Sequence, residues 1–378
     1  ARRMLKNNKR KASIFLSLLL LPLLLTGCFD YHDINKVTFP TSIIFDVDDL
    51  GQDIVYLDCI KPYRSTNDSS DKGRRIIYKG VGKTALEALS DINRASSYKL
   101  DYTQTRAYIF TEKASRTGIK KFLDLINNNS EFSMKPSTFV YYGDVEELLN
   151  TVSTDEEYLG LFLNDLSGKE KYNPMAVKSN INYYLSNILM GSNTALLTSI
   201  SLEDNAIDKK IQIQGSSIFK DNVLVEKIDT ENSLIYNIMM GNAKSGTLEV
   251  SNPQSKENFI TLQILDSNMK DKLEFQDGKY KLIKDINIEV SVSEIQGELI
   301  VDANALDYIK LNEEAYISGY AEYLFNKYKQ ENLDIFDIDR LAEMYYPNEN
   351  IDNPLSVTEI EVNTKLIIKG TGVVKDSL

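Results

Sequence analysis

Apolar residues change their spacing several times along this chain, and each change marks an element. Thr41–Asp46 and Ile54–Lys61 are strand-like runs, and the turn-rich Asp48-Asp49-Leu50-Gly51 between them predicts a hairpin. Arg64–Gly73 is polar and reads as a loop. From Arg74 to Val152 strand and helix patterns alternate. Strands are predicted at Arg75–Lys79, Arg106–Thr111 and Thr138–Tyr142. Each precedes a helix with one apolar face: Ala85, Leu89 and Ile92; Ile119, Phe122, Leu123 and Ile126; Val145, Leu148, Leu149 and Val152. This βαβαβα order predicts a compact α/β module.

Helices are expected next at Asp155–Leu166 and Met175–Leu189, then strands at Ala195–Leu202, Lys210–Phe219 and Val223–Ile228. Lys220-Asp221-Asn222 joins the last two, and a helix is predicted at Thr230–Met240. The final third is β-rich. Ile260, Leu262 and Ile264 alternate with polar residues, as do Ile286, Ile288, Val290 and Val292. Asp277-Gly278 between two extended runs is a strong two-residue hairpin signal. A long helix follows at about Ala305–Lys329, with Ile317, Ala321, Leu324 and Tyr328 in one stripe. In the closing strand Ile360, Val362, Thr364, Leu366 and Ile368 point one way.

The amino-terminal segment follows a different logic. Six cations (Arg2, Arg3, Lys6, Lys9, Arg10, Lys11) precede the apolar run Ala12–Leu25, which ends in Leu25-Thr26-Gly27-Cys28. A basic stretch, a short apolar core and small residues at a cut site form a secretion signal, and the terminal cysteine makes it a lipoprotein signal. Residues 1–27 are the expected signal peptide and Cys28 the expected site of lipidation. Met4, close behind Ala1, is the expected start of translation. A transmembrane helix is the poorer reading, because the run is short and Pro22 interrupts it.

Removing residues 1–27 with those six cations takes the formal net charge from −12 to −18. So acidic a body repels phosphate backbones and anionic lipid, which argues against a nucleic-acid partner and for attachment through acyl chains. With Cys28 acylated, Cys59 stands alone, so no internal disulfide forms; it lies in the apolar run Ile54–Ile60 and is expected to be buried.

Several motifs imitate chemistry. Gly80-Val81-Gly82-Lys83-Thr84 resembles the end of a phosphate-binding loop, but the first glycine of that motif is replaced by Ile77. The simpler reading is a glycine turn with Thr84 near a helix N-cap. Asp46–Gly51 imitates a calcium loop with Leu50 and Leu57 where ligands are needed. The one histidine, His32, lies in the tether, which argues against a Ser-His-Asp triad and a His-rich zinc site. Glu313 with Glu314, and Asp334, Asp337 and Asp339, read as solvated faces among 55 acidic residues. Tyr316, Tyr320 and Tyr323 read as core or interface before ligand groove. No catalytic residue, cofactor site or metal site is assigned, and the reading is binding or scaffolding without turnover.

Four segments in order carry a resemblance: Cys28-Phe29-Asp30-Tyr31-His32-Asp33-Ile34-Asn35; Gly82-Lys83-Thr84-Ala85-Leu86-Glu87-Ala88; Gly215-Ser216-Ser217-Ile218-Phe219-Lys220-Asp221; and Asn332-Leu333-Asp334-Ile335-Phe336 before a strand ending in Gly370-Thr371-Gly372. Behind a lipobox, this order resembles the Ger(x)C family of spore germination receptor C-subunit lipoproteins, with Phe29 where the family has Trp. The resemblance implies an α+β fold of three mixed α/β domains with largely antiparallel sheets, the middle one an alternating β-α module. The expected division is 28–64 with 175–240 as a discontinuous first domain, 65–174 as an inserted α/β domain, and 241–378 as a β-rich domain with a long helix. It further implies a lipid-anchored subunit on the outer surface of the spore inner membrane, assembled with A and B subunits in a receptor for small nutrients. A direct nutrient contact is left open. The alternative reading is a solute-binding lipoprotein of a transporter; a tethered hydrolase is disfavoured for want of histidine and metal ligands.

Overall fold

The computed structural model describes residues 36–61, 74–151, 157–168, 173–177, 179–206 and 208–370, and the statements below concern these. Cys28, His32 and the loop expected at Arg64–Gly73 lie outside the described residues.

One large sheet organises the first two thirds. Its strands are β1 (Val37–Val47), β2 (Asp53–Lys61), β3 (Arg74–Gly82), β5 (Ala107–Thr111), β6 (Ser137–Tyr142), β7 (Thr194–Asn205), β8 (Asp208–Lys220) and β9 (Val223–Ile228), with the short β4 (Lys99–Leu100) beside β1. They run in the order β3-β2-β1-β5-β6-β7-β8-β9. The outer pairs β3–β2–β1 and β7–β8–β9 are antiparallel. The central pairs β1–β5, β5–β6 and β6–β7 are parallel, so this sheet is mixed. Hydrogen bonding is continuous across the boundaries expected at 64/65 and 174/175: β5 and β6, expected in an inserted domain, form the centre of the sheet. The physical reason is their composition. Ala107–Thr111 is buried at every position, which only a strand covered on both faces can satisfy.

Helices cover both faces. On one lie α1 (Ala85–Ala95), α3 (Lys120–Asn128) and α6 (Ile181–Met190), packing Ala88, Ile92, Phe122 and Ile181 on Phe45, Leu57 and Phe110. On the other lie α4 (Val145–Asn150) and α5 (Leu159–Gly168), packing Leu148 and Leu163 on Ile44, Ile109 and Phe139. The alternation of Ile43 and Ile44 between these two cores follows from the strand period of two. A short α2 (Glu112–Thr117), unpredicted, follows β5 directly; Thr111 caps it and Gly118 ends it at φ 110. α6 starts at Ile181, six residues after the expected helix, because Asn180 is its N-cap, accepting from the Tyr183 N–H at 2.9 Å.

A second sheet, β10 (Thr247–Asn252), β11 (Ser255–Gln276), β12 (Lys279–Ile295) and β13 (Thr358–Gly370), runs in chain order. Asp277 and Gly278 form the β11–β12 turn, both at positive φ (52 and 76) as a type I′ hairpin requires. β13 pairs with β12 in parallel, an arrangement that needs a long crossover. The crossover carries α8 (Ala303–Gln330) and α9 (Ile338–Tyr345). These helices and α7 (Thr230–Met239) bury Ile286, Ile288, Ile317, Leu324 and Phe336 in one core. α7 joins the two sheets. Its Asn237 side chain donates to the Pro174 and Ala176 carbonyls at 2.6 and 2.9 Å, while Lys284 Nζ on β12 donates to the Met239 carbonyl at 3.3 Å.

Candidate interaction surface

The residues that imitate chemistry in the sequence are committed to the fold. Gly80 and Gly82 sit under α1, where a Cβ would lie 2.1 Å from the Ala88 carbonyl oxygen and 2.6 Å from the Ala88 nitrogen. Thr84 caps α1, accepting from the Glu87 N–H at 3.2 Å, and Glu87 in turn accepts from the Lys83 N–H at 2.7 Å. Two amides of this turn, those of Lys83 and Glu87, therefore have side-chain acceptors already. Beside this turn an open groove of 780 Å³ runs between α1 and α3; two lysines line it, Lys83 and Lys121, and Lys121 is paired with the buried Asp53. In the Asp46–Gly51 turn, Asp48 accepts from the Leu50 and Gln52 N–H groups, Asp46 accepts from Thr111, and Asp49 pairs with Lys113. Among the described residues no cluster of metal-ligating side chains exists. Cys59 is buried, and burial pushes its thiol pKa far up, so it is an inert hydrophobe.

Two carboxylates depart from the solvated faces expected for them. Asp334 is 4% exposed and caps α9, accepting from the Ile338 and Asp339 N–H groups at 2.9 Å each; burial raises its pKa to about 6. Glu313 is also 4% exposed, on α8, and burial together with the nearby Glu249 raises it to about 7. Glu313 was hidden in the sequence because helix phase relative to a neighbour, not composition, decides which acidic residue turns inward, and Asp334 because it lies in the loop before α9, whose burial tertiary packing sets.

α8 presents a different chemistry on each side. Ile317, Ala321 and Leu324 enter the core. On a second side Glu314, Ser318 and Glu322, spaced four apart, accept from the N–H groups of Leu366, Thr364 and Val362 at 2.8, 3.2 and 3.3 Å. These amides lie on the β13 edge away from β12, so a helix supplies the acceptors that a neighbouring strand would. On the third side Tyr316 donates to Glu231 at 3.1 Å and stacks on Tyr320, whose ring in turn lies 5.7 Å from that of Tyr323. Lys327, at the end of this side, pairs with Glu226 at 2.5 Å.

The outward side is uncharged. From Tyr308 to Asn326 every exposed α8 residue lacks a charge: Tyr308, Leu311, Asn312, Ala315, Tyr316, Gly319, Tyr323 and Asn326. The chain as a whole is 26% charged, so an uncharged face about 27 Å long is out of keeping with ordinary surface. Tyr316 and Tyr323 remain 48% and 58% exposed and are surface rather than core. Gly319 lies between them with nothing within 4 Å of a Cβ built on it. Sequence reasoning found the tyrosines but not Ala315, Gly319 or the Glu231 partner. The helical spacing of uncharged positions was the signal that could have located the first two.

Residues 30–202 match the family domain described as spore germination protein N-terminal domain, and residues 214–372 match the one described as spore germination B3/GerAC like, C-terminal. The chain belongs to the Ger(x)C family of spore germination proteins. It is 23% identical to spore germination protein GerQC of Bacillus cereus over 256 residues, covering 68% of this chain and 69% of that one. It is 22% identical to spore germination protein A3 of Bacillus subtilis (strain 168) over 283 residues, covering 72% and 71%. The crystal structure of the GerBC protein superposes with a TM-score of 0.54 at 14% identity, over 86% of this chain and 96% of that one. That likeness bears out a mixed α/β Ger(x)C fold, built here on two sheets.

Proposed function

We propose that this Ger(x)C protein is the C subunit of a nutrient germinant receptor, anchored through an acylated Cys28 to the outer surface of the spore inner membrane. It works there by contacting the receptor's A and B subunits, without turnover. The observation that carries this reading is the match of both halves of the chain to spore germination domains, behind the lipobox Leu25–Cys28. Two physical points support it. The Lys83–Glu87 turn and the Asp334 carboxylate, which could suggest chemistry, are occupied by intramolecular bonds. No described helix is long and apolar enough to cross a membrane, and acyl chains supply attachment where an acidic body gains nothing from anionic lipid.

The test is Cys28→Ala in spores, read by membrane fractionation and by the germination response to nutrients. The expected result is release from the membrane and a weakened response. Normal germination with the variant still membrane-bound would overturn the anchoring role. Co-purification from wild-type spore membranes without any A or B subunit would remove the receptor role.

A further inference from the structure

The geometry points to the outward face of α8 as the docking site for a helix of a partner protein, one with an apolar, small-residue face and lysine or arginine along its rim. Ala315 and Gly319, four residues apart, let another helix axis approach closely. Tyr316 and Tyr323 stand on either side of the Gly319 notch and offer rings with polar tips, the side chains enriched at protein interfaces. Glycine in the interior of a helix carries an intrinsic cost, and no described residue requires it at 319, since a Cβ there meets no described atom. A close neighbour on this face would supply the reason.

Charge selects the occupant. Asp229 and Glu231 flank the tyrosines, and Lys327, the cation on that side, is already paired with Glu226. A basic rim on the incoming helix complements them. A second copy would set the same carboxylates against each other, and an anionic lipid surface would be repelled by a chain of net charge −12. The inference rests on the proposed function only in assuming a protein neighbour at the spore membrane.

The test uses the full-length chain in spore membranes, with photoreactive benzoylphenylalanine in place of Tyr323, irradiation, and mass spectrometric mapping of the adduct. The expected adduct is with a different polypeptide, in a helical segment that carries lysine or arginine beside an apolar face. It should fall at least tenfold in a Gly319→Leu background, where the side chain fills the notch. A melting temperature no lower than that of the wild type for purified Gly319→Leu shows that the loss reports docking rather than folding. An adduct with lipid alone, with a second copy or with a segment lacking basic residues overturns the inference, as does none at all. An adduct of the expected kind in a protein other than a receptor subunit keeps the docking face and removes the receptor reading.

Discussion

Arg75 donates from Nε to the Asp58 carboxylate at 2.7 Å across the β2–β3 pair, with Asp58 wholly buried and Arg75 nearly so. The other Asp58 oxygen accepts from the Leu159 N–H at 2.8 Å, so one side chain fixes the first strands and the start of α5 together. Asp58→Ala leaves a buried guanidinium and a buried amide without their acceptor. Removing one partner of a buried pair costs about 3–5 kcal/mol, and urea denaturation should show a loss of that size. Asp58→Asn, which keeps an acceptor, should lose less.

Glu313 makes stability fall with rising pH. Its carboxyl titrates from 4.5 in the unfolded chain to about 7 in the folded one, with burial the main cause. The folded state therefore holds the proton more tightly. The stabilisation is complete below about pH 4.5 and lost as pH rises through 7. Glu313→Gln removes the charge at every pH. It should leave stability at pH 4 nearly unchanged and raise it at pH 8 by about 2–3 kcal/mol, measured by thermal or urea unfolding across that range.

Ser318 should protect the edge of β13. Ser318→Ala withdraws the acceptor from the Thr364 N–H and should cost about 1–2 kcal/mol. Hydrogen exchange is the sharper measurement. The Thr364 amide should exchange faster in the variant, while Val362 and Leu366, bonded to Glu322 and Glu314, should change less.

Two glycine-to-alanine changes should have opposite signs. At Gly80 the new Cβ would lie 2.1 Å from the Ala88 carbonyl oxygen, so α1 must shift and the protein should lose about 1–3 kcal/mol or more. At Gly319 the Cβ meets open space in a helix interior, so Gly319→Ala should gain up to about 1 kcal/mol. Melting temperatures of the isolated variants would check both.

Most elements were legible because their signals are local. The Asp48–Gly51 and Asp277-Gly278 turns, the Thr84 cap and the stripe Ile317, Ala321, Leu324 and Tyr328 each follow from residues a few positions apart. A helix face or a turn needs only its own neighbours to be recognised. The start of α6 was less legible, since apolar residues from Met175 onward fit a helical pattern that the Asn180 cap begins later.

By itself the sequence determined most of the strands and helices, where a lipobox-like motif stands, and that the family's four segments occur in order. Tertiary structure alone decided that β5 and β6 lie at the centre of one sheet, that Glu313 and Asp334 are buried, and that α8 clips the β13 edge while turning an uncharged face outward. Periodicity records which face of an element is apolar. Strand order, and the partner that each polar side chain meets, depend on residues as far apart as Glu314 and Leu366, and no local pattern encodes them.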